Sequence, residues 1–302
     1  VSIEAENTLI IFDEVQEVPK ALTSLKYFYE NAPQYAIVAA GSLLGVALHQ
    51  GTSFPVGKVD FLDLYPLNFR EFLCAMGEKQ FVSMLDSCDT QMVTVFKTKY
   101  IERLREYYFV GGMPEVVKDF SEKKDYNRVR AIQKNLINYY QQDFSKHAEI
   151  KLVPRLNLVW NSIPMQLAKE NKKYIYGQVR EGSRAKDFEL AIQWLLDCGL
   201  IHKVQRIQKP DLPLKAYIDF DAFKLFLVDI GLLIAMTDLD AKVIIEGNKI
   251  FTEFKGALTE QYILQQLISD VGVIPYYYST QNSKGEIDFL VQGKTSVIPI
   301  EV

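Results

Sequence analysis

The sequence predicts a multidomain α/β protein, and three observations carry that prediction. Its 302 residues are about twice what one hydrophobic core organises economically. Apolar residues make up 48% of the chain, enough for several cores. Short apolar runs of strand length alternate with segments of helical period.

Thr8 to Phe12 is a continuous Ile-rich run, the pattern of a parallel strand buried on both faces, and Asp13-Glu14 ends it. Pro19 suits the first turn of a helix with an apolar stripe at Leu22, Leu25, Tyr27 and Phe28, stopped by Asn31-Ala-Pro33. A second buried strand, Tyr35 to Ala40, ends at Gly41-Ser42. Strand, crossover helix, strand places Asp13, Glu14 and Ser42 at one sheet edge, where α/β proteins bind ligands. Residues 67 to about 148 read as helical and are divided at Gly111-Gly112-Met113-Pro114. Helices near 153–171 and 186–198, an alternating strand at Leu200 to Ile207, a loop at 209–213 and a further strand follow the order of a winged helix. A helix at about 254–269 and strands at 274–279, 286–291 and 296–302 close the chain.

A net charge of −4 excludes the overall basicity of a dedicated nucleic-acid binder, so any nucleic-acid surface must be local. Three cysteines without a C-x-x-C pair and three histidines cannot assemble a zinc cluster, and a reduced, cytoplasmic setting is expected. The longest apolar stretch, Leu225 to Met236, is far short of the about 20 residues of a membrane span, so no membrane association is expected. A first residue other than Met and an end inside an apolar run lead us to expect a fragment.

An apolar strand ending in Asp-Glu is what a P-loop ATPase requires: Asp13 would hold the hydration shell of Mg²⁺ and Glu14 would polarise the attacking water. An acidic pair after a buried strand also occurs in ordinary α/β proteins. Ser42, 29 residues after Asp13 at the end of the next strand, suits a sensor of the γ-phosphate or simply a helix N-cap. The phosphate-binding loop G-x-x-x-x-G-K-[ST] is absent; Gly51 to Val59 has the wrong spacing, the wrong last residue and the wrong place in the strand order.

The chain resembles the bacterial and archaeal AAA-type ATPases that carry a C-terminal domain of unknown function. The resemblance rests on Leu9-Ile-Ile-Phe-Asp-Glu-Val-Gln-Glu17, Ala39-Ala-Gly-Ser-Leu-Leu-Gly45, Leu64-Tyr-Pro-Leu-Asn-Phe-Arg-Glu-Phe72, Gly111-Gly-Met-Pro-Glu115 and Phe223-Lys-Leu-Phe-Leu-Val-Asp-Ile-Gly-Leu-Leu233. It implies ATP binding and hydrolysis with Mg²⁺, a helical lid, a winged helix and a nuclease-like C-terminal fold. On that resemblance Asp13 and Glu14 are the Walker B pair, Ser42 the first sensor, and Pro114 a lid residue packing on adenine, unless Pro114 merely starts a helix. Gly57-Lys58 departs from the Gly-Arg common in relatives, and lysine lacks the bidentate fork of a phosphate-sensing arginine.

Between Lys172 and Lys186, five cations stand against one carboxylate. Lys172, Lys173, Arg180 and Arg184, with Tyr174 and Tyr176 interleaved, suit contact with DNA phosphates, or else form a solvated docking loop. Glu260, Asp288 and Glu301 resemble in order and spacing the PD-(D/E)xK nucleases, in which an Asp and a Glu from adjacent strands hold Mg²⁺. The lysine of that pattern would be residue 303; the alternative is a set of strand residues facing solvent.

The expected organisation is therefore the C-terminal half of an AAA-type core at 1–66, a helical lid at 67–150, a winged helix at 151–237 and a truncated restriction-endonuclease-like domain at 238–302. An intact parent would be an ATP hydrolase using ATP and Mg²⁺; this chain, without the phosphate loop, is expected to be inactive. The alternatives are a DNA-binding or regulatory module without turnover and an ATP-gated DNA nuclease. Oligomerisation is left open.

Overall fold

The computed structural model describes residues 3–41, 57–169, 172–246, 252–280 and 285–302. The chain groups into two compact units, Val1–Leu64 with Ile192–Leu200, and Tyr65–Ala191 with Ile201–Val302. It is mixed α/β, with a two-stranded parallel sheet and a five-stranded mixed sheet.

In the first unit, β1 (Leu9–Phe12) pairs in parallel with β2 (Ala36–Ala39), Leu9 opposite Ala36 and Phe12 opposite Ala39. The crossover is α1 (Pro19–Asn31), whose proline sits in the first turn, where a missing N–H leaves no intrahelical bond unmade. Leu22 is buried and the Phe12 and Phe28 rings lie 6.0 Å apart, so α1 turns Leu22 and Phe28 towards the sheet, whereas Tyr27 of the expected stripe is exposed. The opposite face exposes Leu9, Ile11 and Val38, so the strands are covered on one face and not on both as their apolar runs led us to expect.

The second unit begins with α2 (Phe69–Ala75), started by a reciprocal capping box between Asn68 and Glu71. Then come α3 (Lys79–Asp86), α4 (Thr90–Val95), α5 (Lys97–Val110), α6 (Pro114–Lys123), α7 (Tyr126–His147) and α8 (Val153–Leu167). Short α9 (Tyr176–Val179) leads to α10 (Ala185–Asp197), which crosses from one unit into the other. After β3 (Ile201–Ile207) and β4 (Ile218–Leu227) come α11 (Ile230–Met236), α12 (Ala241–Ile245) and α13 (Thr252–Ser269). The strands β5 (Tyr276–Ser279), β6 (Glu286–Gln292) and β7 (Val297–Ile300) complete it.

The five strands lie in the order β4-β3-β5-β6-β7. All pairs are antiparallel except β3 with β5, where Arg206 stands opposite Tyr277 and Ile207 opposite Tyr278. That parallel pair crosses the boundary expected at 237/238. The helix, helix, strand, loop, strand order expected of a winged helix is present in α8, α10, β3 and β4, yet its hairpin supplies two strands of a five-stranded sheet. The joint is reinforced from α13: Gln261 exchanges hydrogen bonds with Leu227 N and O at 3.0 and 2.7 Å, and Gln265 accepts from Ile230 N at 3.0 Å. Buried backbone groups at the end of β4 are thus satisfied by amides from a helix sequence-distant from them.

Candidate functional site

The C-terminal edge of the parallel sheet carries the predicted acidic pair. Ala40 N donates to Phe12 O at 2.8 Å and Val15 N to Ala40 O at 3.0 Å, so the chain stays tied to β2 on both sides of Asp13 and Glu14. Both carboxylates are exposed there. Asp13 Oδ1 accepts from Glu14 N at 3.0 Å. Glu14 has φ 48° and ψ 44°, a left-handed conformation that residues with a side chain seldom adopt and that clusters at functional sites. Its carboxylate accepts a hydrogen bond from Gln16 Nε2. Gln16 Oε1 is buried without a hydrogen-bond partner, and a Cβ at Gly41 would stand 2.2 Å from it, so a larger residue there would push the Gln16 amide aside. Gln16 lay within the acidic motif, but sequence reasoning assigned it nothing. Ser42 lies outside the described residues. Lys58 Nζ lies 3.8 Å from Glu30 Oε1 and 4.7 Å above the Tyr29 ring.

Pro114 is exposed at the first position of α6, with Met113 as N-cap. The glycines before it face inward. Gly111 has φ 75°, and Gly112 N donates to Asp229 Oδ2 at 2.6 Å. Asp229 also caps α11 by accepting from Leu232 N at 3.0 Å, and accepts from Gln265 Nε2 at 3.2 Å. Leu67 N donates to Gly112 O at 2.7 Å, and Tyr107 Oη donates to Leu67 O at 2.6 Å. Motifs 111–115 and 223–233 therefore meet at one buried carboxylate, and motif 64–72 joins them through the Leu67–Gly112 hydrogen bond. Burial raises the Asp229 pKa against the opposing effect of these donors.

The C-terminal carboxylates are only partly gathered. Glu260 on α13 is buried, and Asp288 is close enough to raise its pKa, although burial is the larger cause. Asp288 Oδ2 accepts from Val302 N at 3.0 Å; Glu301 follows β7 and is exposed. With Phe289 opposite Ile300, continuation of the antiparallel register places Asp288 opposite Glu301. What sequence reasoning missed is the lysines. Lys224 of β4 is fully buried, its Nζ 3.2 Å from Glu260 Oε2, 2.5 Å from Glu286 Oε1 and 4.9 Å from the Tyr277 ring. Lys172 pairs with the other oxygen, Glu260 Oε1. Burial presses the Lys224 pKa down, and the two glutamates outweigh it, so its pKa is raised. Lys224 was legible only as a lone cation inside an apolar strand. Among the described residues no three acidic, histidine or cysteine side chains are arranged to hold a metal ion.

The basic stretch is divided. Lys172, expected at a DNA surface, is instead turned onto Glu260, because a buried carboxylate attracts the nearest ammonium more strongly than solvent does. Lys173 is half-buried. Arg180 and Arg184 are exposed. Arg180 lines a cavity of about 270 Å³ together with Arg155, Ser183 and Asp187. No helix among the described residues is long and apolar enough to cross a membrane.

No curated protein and no solved structure matches the chain. Three family models do. Residues 101–243 match a domain of unknown function (DUF8612) and residues 255–302 another (DUF4143). Residues 1–73, which contain the β1 edge with Asp13 and Glu14, match the AAA domain. The likeness to AAA-type ATPases shown by these matches is that of residues 1–73.

Proposed function

We propose that the first unit is the Walker B half of an AAA-type ATP site. The observation that carries this reading is the position of Asp13 and Glu14 at the C-terminal edge of a parallel sheet, inside the segment that matches the AAA domain. Two exposed carboxylates offer the hard oxygen donors that suit Mg²⁺, and Asp13 would hold its water shell. A bound Mg²⁺ would supply charge neutralisation at the phosphates. Glu14, oriented by Gln16, accepts the proton as water attacks the γ-phosphorus in line with the bond to the leaving diphosphate. Sensing of the phosphate by Ser42 and adenine packing by Pro114 belong to the same proposal; exposure of Pro114 is consistent with it. The second unit would couple nucleotide state to its winged-helix-like and nuclease-like parts.

The test is turnover. In a form of the protein that carries a G-K-[ST] loop, Glu14→Gln retains ATP and stops hydrolysis; unchanged hydrolysis would remove Glu14 from the mechanism.

A second reading, non-specific DNA contact without turnover, draws on Arg155, Arg180 and Arg184. Arg155 and Arg180 line one cavity, whose wall also carries Glu181 and Asp187, and Arg184 is exposed beside it in sequence, so any phosphate contact would fall to the exposed arginines.

A further inference from the structure

The nuclease resemblance implies a divalent ion shared by Asp288 and Glu301 beside Glu260, and the buried end of that set, Glu260 with Asp288, is not arranged to take one. Both oxygens of Glu260 are already taken by ammonium groups, Oε1 by Lys172 and Oε2 by Lys224. Asp288 Oδ2 holds the backbone N–H of Val302. The Tyr277 hydroxyl, on the residue whose ring underlies Lys224, is buried without a hydrogen-bond partner.

We infer that Lys172 is an internal counter-ion that closes the Glu260–Asp288 carboxylate pair to divalent metal. The two lysines are not equivalent. Lys224 lies in β4, is fully buried and is shared between Glu260 and Glu286 over the Tyr277 ring, so it cannot leave without opening the sheet. Lys172 lies outside any helix or strand, on the segment between α8 and α9, and its side chain is 15% exposed. It can withdraw by local movement.

Charge counting points to the same lysine. Leaving out Glu301, which is exposed and screened by solvent, Glu260, Glu286 and Asp288 with Lys172 and Lys224 carry one formal negative charge in excess. A dication added to that set would leave a net positive charge in a poorly solvated place, which is costly. With Lys172 gone the excess is two negative charges, and a dication neutralises it. Hard carboxylate oxygens favour Mg²⁺ or Mn²⁺ as the ion admitted.

The experiment is Mn²⁺ titration, followed by electron paramagnetic resonance of free Mn²⁺, on the 302-residue chain and on Lys172→Met, each with and without Asp288→Asn. Only binding that Asp288→Asn removes is counted, which sets aside any ion held at Asp13. We expect no such binding in the unsubstituted chain, and in Lys172→Met a new Asp288-dependent site at least about tenfold tighter. Asp288-dependent binding of equal strength in the unsubstituted chain would overturn the inference. So would a folded Lys172→Met variant that gains no site. Lys172→Gln, which drops the charge and keeps a donor for Glu260, carries the comparison if the Met variant does not fold.

Discussion

The backbone N–H of Gly112 donates to Asp229 Oδ2 across 2.6 Å, joining two residues 117 positions apart in the chain. Both glycines of the pair 111–112 are required by close approach. A Cβ at Gly111 would stand 2.3 Å from Asp229 Oδ1 at a positive φ, and one at Gly112 would stand 2.1 Å from Leu67 O. The motif containing these glycines thus acts as the socket for a buried carboxylate that also starts α11.

From this packing, Gly111→Ala is expected to lower unfolding stability by about 3 kcal/mol or more, combining left-handed strain with a steric overlap in a packed interior. Gly177→Ala is the control, since a Cβ there meets nothing within 4 Å. It should be neutral or gain about 0.5 kcal/mol. Urea unfolding of both variants decides; equal effects would remove the socket.

Nucleotide binding is expected to be weak in the 302-residue chain, because the backbone cradle and lysine of a phosphate loop are absent while Asp13 and Glu14 are present. Calorimetry with Mg-ATP checks it. Submicromolar affinity would point to a different phosphate site.

Acid sensitivity should arise at His202. It lies on β3 opposite Phe226, its ring 6.5 Å from that of Tyr65, and burial lowers its pKa from 6.5 to about 4. The native state therefore binds its proton less readily than the unfolded chain. Its contribution is whole above pH 6.5 and is lost as the pH falls towards 4, by at most about 1.4 kcal/mol per pH unit. His202→Phe should flatten the decline in urea midpoint between pH 7 and pH 5; an unchanged slope would assign the decline to other groups.

If the chain contacts DNA, Arg180 and Arg184 should supply most of the phosphate term, because Lys172 is committed to Glu260. Replacing both arginines by glutamine is expected to reduce the slope of log K against log salt by about 1.8, and adding Lys172→Met should change it little further. A larger effect from Lys172 than from the arginines, read by fluorescence anisotropy, would contradict the assignment.

Local pattern alone was enough for most elements. The continuous apolar run ending in Asp13-Glu14 predicts β1 and its ligand edge but not its burial, since such a run implies cover on both faces and Leu9 and Ile11 are exposed. Pro19 marks the start of α1, and Gly199 stands just beyond α10, because one lacks an N–H that the first turn does not need and the other accepts φ 68°. The apolar and polar mixture over 200–207 marks β3, although its buried residues, Ile201, Val204 and Ile207, lie three apart and do not alternate. What the tertiary structure decided is pairing between distant segments: β3 beside β5, Gly112 against Asp229, Gln16 beneath Gly41, Lys172 and Lys224 on Glu260. Periodicity shows which face of an element is apolar, but it carries no information about which distant polar group will satisfy a buried one. A carboxylate such as Glu260 therefore looks the same in sequence whether it meets a metal ion, water or an ammonium, and the two lysines that fold onto it determine its chemistry.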